Sequence, residues 1–171
     1  MSPPAAIVIW TDGLCTDSRG FGGWAYVRVW AGEARGFAGG ERQATTARME
    51  LTAVVRALAD LAETPSGAPL RICSDSALVC EGVAQLEVWK AKGWITADGD
   101  PVAHRELGEQ IAVATGGRAV EMVRTSGTPR PTDPAGFVTA WSDFARDKCK
   151  AAGAFTAAIP KPNLKKFPGL A

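Results

Sequence analysis

Three acidic residues stand where a short apolar run ends or a helical pattern begins, in Thr11-Asp12-Gly13, Met49-Glu50-Leu51 and Ser74-Asp75-Ser76. An acid at the end of a strand lies at the rim of a sheet, among loops rather than core, so ionised carboxylates can meet there without full desolvation. Converging carboxylates repel one another unless a cation joins them. Hard divalent ions such as Mg²⁺ take oxygen ligands of this kind, and two of them about 4 Å apart can hold both the attacking and the leaving oxygen in phosphodiester hydrolysis. Taken singly, each acid also has a plain structural reading: Asp12 and Asp75 as turn formers, Glu50 as a first-turn residue favoured by the helix dipole.

Other chemistries are less well supplied. The four cysteines, Cys15, Cys73, Cys80 and Cys149, form no C-x-x-C pair, and with a single histidine, His104, the chain offers no tetrahedral zinc set and no imidazole partner for a cysteine nucleophile. Free thiols in a reducing, cytoplasmic compartment are the simpler expectation. The net charge is +1, and residues 141–171 hold six Lys/Arg against two acids, so a polyanion would be met by a local patch rather than a global field. The first apolar stretch, Ala5 to Trp10, is far shorter than the roughly 20 residues of a membrane span and has no basic segment before it, so neither a signal peptide nor a membrane helix is read.

The elements that must position the acids follow from periodicity. At 171 residues, with 46% hydrophobic and 22% charged residues, the chain is long enough for one domain with a real core. Ala6 to Asp12 reads as a buried strand; the Gly20 to Gly23 cluster permits a reversal into Trp24 to Trp30, and about Arg35 to Ala38 completes an antiparallel meander. From Thr45 to Ala62 the period changes, with Leu51, Val54, Val55 and Leu58 on one helical stripe. Pro69 to Asp75 is a further strand, followed by two short helices, Ser76 to Gly82 and about Gln85 to Lys92. Pro101 opens a helix to about Ala114, Arg118 to Arg124 is the last strand, and a final helix runs from about Val138 to Ala152. Strands first, then alternation with helices, describe an α/β chain with a mixed sheet. Residues 155–171, with prolines and lysines, read as a loosely ordered tail on a domain of residues 1–154.

The flanking residues, read together, resemble the type 1 ribonuclease H family. They are Thr11-Asp12-Gly13, Gly20-Phe21-Gly22-Gly23-Trp24-Ala25, Thr45-Thr46-Ala47-Arg48-Met49-Glu50-Leu51 and Ser74-Asp75-Ser76, continued by Trp89-Lys90-x-Lys92-Gly93-Trp94 and Asp147-Lys148-x-x-x-Ala152-Gly153. The resemblance implies a five-stranded mixed sheet, three antiparallel strands first and two further strands after, with helices on both faces. It also implies cleavage of the RNA strand of an RNA–DNA hybrid with two Mg²⁺ or Mn²⁺ ions held by four carboxylates. By position Asp12, Glu50 and Asp75 match the first three; Asp147 fits the pattern of the fourth, with Asp143 four residues earlier on the same helical face as the alternative. Gly13, Thr45, Thr46, Trp89, Lys90, Lys92, Trp94 and Arg124 are the implied substrate contacts, basic residues beside indoles suiting a sugar-phosphate backbone.

The sequence also departs from the family's pattern. Ser126 stands where relatives carry a loop histidine, and a hydroxyl cannot do imidazole's acid–base work near neutrality, so slower turnover is expected. Thr46-Ala47 and Ala77 replace amides that read the groove in relatives. These departures leave two other readings: a binding module of the same fold with weak or no catalysis, or a related nuclease acting on duplex RNA or structured DNA. A monomer is expected. The basic end of the tail reads as solvated, with a docking peptide for a replication protein as the alternative.

Overall fold

The structure, a computed structural model, describes residues 4–16 and 20–170. Three long antiparallel strands come first: β1 (Ile7–Thr16), β2 (Phe21–Trp30) and β3 (Glu33–Glu41). Helix α1 (Thr46–Leu58) leads to β4 (Leu70–Ser74), which lies parallel to β1, then to α2 (Ala77–Ala91), α3 (Arg105–Thr115) and β5 (Val120–Arg124), parallel to β4. Helix α4 (Pro134–Ala152) precedes β6 (Phe155–Ala158), a short α5 (Lys161–Leu164) and a 3₁₀ turn at Pro168–Leu170. The sheet order is β5-β4-β1-β2-β3-β6, so the strands carrying Asp12 and Asp75 are neighbours. The reversal expected at Gly20 to Gly23 lies earlier in the chain: β2 already starts at Phe21, so Gly22 and Gly23 are strand residues paired with Cys15 and Leu14, and only Gly20, φ 74°, is left at the turn, whose residues 17–19 lie outside the described residues.

Two cores flank the sheet. On one face Ile7, Ile9, Trp24, Tyr26, Leu70 and Ile72 meet Met49, Val54 and Leu58 of α1 and Leu107 and Ile111 of α3. On the other, Ala25, Val27 and Ala38 meet Val138 and Ala145 of α4, with Ile159, Leu164 and Phe167. Strand alternation explains the split: along β1 the odd positions face α1 and the even positions, Asp12 among them, face α4.

Four expectations need correction. The sheet has six strands rather than five, because Phe155–Ala158 pairs antiparallel with Phe37 to Gly40 of β3. The segment expected as a loose tail is therefore built in, and Ile159, Leu164 and Phe167 are buried beneath the sheet. The two short helices after Asp75 are one continuous α2: Gly82 costs helix stability, but Val79, Val83 and Leu86 pack inward on both sides of it. Finally, α3 starts at Arg105 rather than Pro101, since Pro101 bridges to Ile95 and His104 takes a left-handed backbone, φ 54°, at the helix start. Among the described residues no helix is long and apolar enough to cross a membrane.

Candidate active site

Asp12 lies midway along β1, paired with Ala25 of β2. The next residue sets what can approach it. A Cβ on Gly13 would overlap the backbone of Met49 and Glu50, so glycine here lets α1 cross directly over β1 and brings Glu50 to the same rim. Asp75 follows the last residue of β4, one strand over, where Ser76 caps α2. Gly23 on β2 plays the same part for α4: a Cβ would overlap the Ser142 carbonyl and the Arg146 backbone nitrogen. With α4 resting on the sheet, the Ser142 hydroxyl donates a hydrogen bond to Oδ2 of Asp12.

The electrostatics mark Asp12 as the centre of the group. Burial pushes its carboxyl up to about 7; the Ser142 hydrogen bond opposes the rise, while the negative charges of Asp75, Asp143 and Glu50 add to it. The Glu50 carboxyl is raised as well, chiefly by burial, with the Ser76 hydrogen bond opposing and Asp75 adding to the rise. Glu50 Oε2 accepts from the Ser76 hydroxyl at 2.6 Å. Among the described residues no three potential ligands converge within metal-binding reach in this conformation. Glu50 is held by Ser76, Asp12 by Ser142, and Asp143 lies 3.5 Å from the Arg146 guanidinium.

Helix α4 decides which of its two acids faces Asp12. It crosses the sheet obliquely, with Ser142 and Arg146 over Gly23 of β2 and Cys149 over Gly40 of β3. Each turn thus carries the helix about 5.4 Å along its axis, away from β1. Asp143, beside Ser142, is the α4 acid whose charge acts on Asp12. Asp147, one turn further, has a side chain 69% exposed and pairs with Arg146 Nε at 3.0 Å. The D-K-x-x-x-A-G pattern pointed to Asp147, with Asp143 as the alternative on the same helical face; Ser142, on the buried stripe with Val138, Ala145 and Cys149, was missed.

The residues expected to hold substrate divide into two groups. Thr45 and Thr46 flank the start of α1 with both hydroxyls already accepting hydrogen bonds, Thr45 from the Arg48 amide at 3.1 Å and Thr46 from the Cys15 amide at 3.2 Å. Lys90 and Lys92 are exposed at the end of α2, Trp89 beside them is partly buried, and Arg124 is exposed at the end of β5. Trp94 does not join them. Its backbone is left-handed, φ 65°, and its indole is 6% exposed, in the core between α2 and α3 and against Gly108, so its role is packing. Gly13 serves the close crossing of α1. Ser126 is exposed in the loop after β5, and His104 sits at the start of α3.

An order of strands 5-4-1-2-3 with acids at the rim of β1, α1 and β4 defines a ribonuclease H-like nuclease fold. Residues 4–126 match the RNase H family. A ribonuclease H of Thiobacillus denitrificans is 42% identical over 106 residues, covering 61% of this chain and 70% of that protein. Among solved structures, LC9-RNase H1, a type 1 RNase H with the type 2 active-site motif, superposes with a TM-score of 0.71 at 17% identity, over 96% of this chain and 81% of the other. LC11-RNase H1, solved in complex with an RNA/DNA hybrid, gives 0.63 at 21% identity, over 84% and 99%. The chain belongs to the ribonuclease H family and is an endoribonuclease that hydrolyses the RNA strand of RNA–DNA hybrids. Enzymes of this family work with divalent metal ions.

Proposed function

We propose that this ribonuclease H carries out hydrolysis with two divalent ions, Mg²⁺ or Mn²⁺, held by Asp12, Glu50, Asp75 and Asp143. The observation that carries the reading is the environment of Asp12, a mid-strand carboxyl that burial raises to about 7, with the charges of Asp75, Asp143 and Glu50 adding to the rise. An all-oxygen donor set with this surplus of negative charge suits a hard cation, whose binding relieves the repulsion. When bound, such ions supply an activated water and stabilise the charge that develops on the scissile phosphate.

The chain's own residues do the rest. Ser76 and Ser142 orient Glu50 and Asp12. Exposed Lys90 and Lys92 meet backbone phosphates to one side of the acids, Trp89 packs beside them, and the start of α1 at Thr45 and Thr46 together with Arg124 borders the groove. Each threonine hydroxyl accepts one backbone hydrogen bond and keeps its proton to donate to a ribose 2′-hydroxyl, which fits recognition of the RNA strand. We further infer a monomer working in the cytoplasm, with residues 155–170 serving the fold rather than a docking partner, since β6 and Phe167 are spent on β3 and the α4 face.

The test is an incubation of the protein with labelled RNA–DNA hybrid, duplex RNA and duplex DNA in Mg²⁺, Mn²⁺ or EDTA. The expected result is metal-dependent cleavage of RNA in the hybrid alone. Cleavage that persists in EDTA would remove the metal mechanism, and equal cleavage of duplex RNA would remove the hybrid specificity.

A further inference from the structure

Ser142 stands out on α4 because it is polar where the helix is buried. The stripe that faces the sheet is Val138, Ser142, Ala145 and Cys149, and Ser142 is 0% exposed within it. Packing alone gives no reason for a hydroxyl there, since alanine occupies the next position on the same stripe and a buried hydroxyl is costly without a partner. The hydroxyl has two acceptors in reach, Asp12 Oδ2 and the Thr139 carbonyl at 2.9 Å. It carries one proton. The Thr139 carbonyl belongs to a helix and has backbone donors of its own, whereas a bond to a carboxylate is charge-assisted and the stronger of the two.

We propose that Ser142 is a positioning residue: it fixes Oδ2 of Asp12 so that the remaining oxygen is presented to a divalent cation without reorganisation. This rests on the reading of Asp12 as a metal ligand. Three features of the chain converge on the contact. Gly23 removes the side chain that would hold α4 off β2, the oblique crossing of α4 puts its third turn over Asp12, and the short serine side chain spans the gap from helix to strand. Ser142 thereby ties α4, the helix carrying Asp143, to β1, so that two of the four acids are fixed relative to each other by one hydrogen bond. Such an outer hydrogen bond orients a ligand before the ion arrives, and removing it commonly weakens metal binding by about 10-fold or more.

The experiment titrates substrate-free protein with Mn²⁺ while following the unfolding temperature, for wild type, Ser142→Ala, Ser142→Cys and Asp12→Asn, alongside kcat and KM for hybrid at each Mn²⁺ concentration. Ser142→Ala should keep the metal-free unfolding temperature close to wild type, shift the Mn²⁺ midpoint up by about 10-fold, and recover most of its kcat at high Mn²⁺ with KM for hybrid unchanged. Ser142→Cys, a weaker donor of similar shape, should fall between the two. Identical Mn²⁺ midpoints for wild type and Ser142→Ala, with Asp12→Asn unresponsive, would overturn the positioning role while leaving the metal site standing. No Mn²⁺ response in wild type would overturn the metal site, and the role of Ser142 with it.

Discussion

The Ser76 hydroxyl donates to the Glu50 carboxylate at 2.6 Å and accepts from the Val79 amide at 3.1 Å, so one side chain both caps α2 and aims a site acid carried by α1. Both hydrogen-bonding roles of the hydroxyl are thereby used, and the structure around Asp75 is coupled to Glu50. Ser76→Ala should lose about 1 kcal/mol of stability from the missing cap and lower hydrolysis by freeing Glu50. Ser76→Asp separates the two functions: a carboxylate still caps the helix but cannot donate to Glu50 and repels it. Urea unfolding and hybrid cleavage, measured together, should show stability partly restored and activity still low. Activity restored in Ser76→Asp would show that only the cap matters.

Asp143 and Asp147 make a matched pair for testing the fourth ligand, because both lie on α4 and both pair with Arg146. Asp143→Asn should reduce single-turnover cleavage by at least about 100-fold, as expected when charge stabilisation at the reacting centre is lost. Asp147→Asn removes an exposed surface pair, whose contribution to stability is small, and should leave cleavage within a few-fold of wild type. The reverse ranking would return the assignment to the D-K-x-x-x-A-G pattern.

This pair also shows where the sequence could be read and where it could not. The elements that carry Asp12, Glu50 and Asp75 were legible because strand alternation and helical periodicity are local properties, but Asp12 lies midway along β1 rather than at its end, since the strand continues past Gly13 to Thr16 in register with β2. The choice between Asp143 and Asp147 depends on the angle at which α4 crosses three strands, which no local pattern carries. Trp94 misled for a related reason: lysines at 90 and 92 suggest surface, but a left-handed backbone turns the indole into the seam between α2 and α3. Residues 155–170 have apolar side chains at irregular spacing among prolines, without the period of either a helix or a strand. They become structure because the β3 edge from Phe37 to Gly40 offers them hydrogen bonds and the α4 face offers them a core.

The same C-terminal segment gives a stability prediction. Phe167 is 3% exposed and packs edge-on against Phe137 of α4, with ring centroids 5.2 Å apart. Phe167→Ala should therefore cost about 3 kcal/mol or more in urea unfolding, the range for removing a buried aromatic ring. A solvated tail would show no change. Since Val138 and Ser142 follow Phe137 on the same helix, the metal-dependent stabilisation of the variant should also weaken as α4 loosens, and a full Mn²⁺ response would limit the effect to the tail.

Metal-free protein should lose stability as pH rises from about 4 to about 7, because of Asp12. Its carboxyl sits at about 7 when folded, against an ordinary value of 3.8. Between these limits the folded chain holds a proton that the unfolded chain has released, so the native state binds more protons and its stability falls with rising pH. The penalty is absent below about pH 4 and fully present above about pH 7, where the ionised carboxylate is buried among Asp75, Asp143 and Glu50. A shift of this size corresponds to a few kcal/mol, about 2–4 after allowing for relaxation around the site. Asp12→Asn removes the ionisation and retains a carbonyl to accept from Ser142, so in EDTA it should match wild type near pH 4 and exceed it in urea midpoint at pH 8. Adding Mn²⁺ at pH 8 should stabilise wild type and leave the variant largely unmoved, since an ion that binds only the folded state raises stability by mass action. Parallel pH curves for the two proteins in EDTA would mean that Asp12 ionises at ordinary acidity in the folded chain, and that the acids do not form the repelling cluster on which the metal site depends.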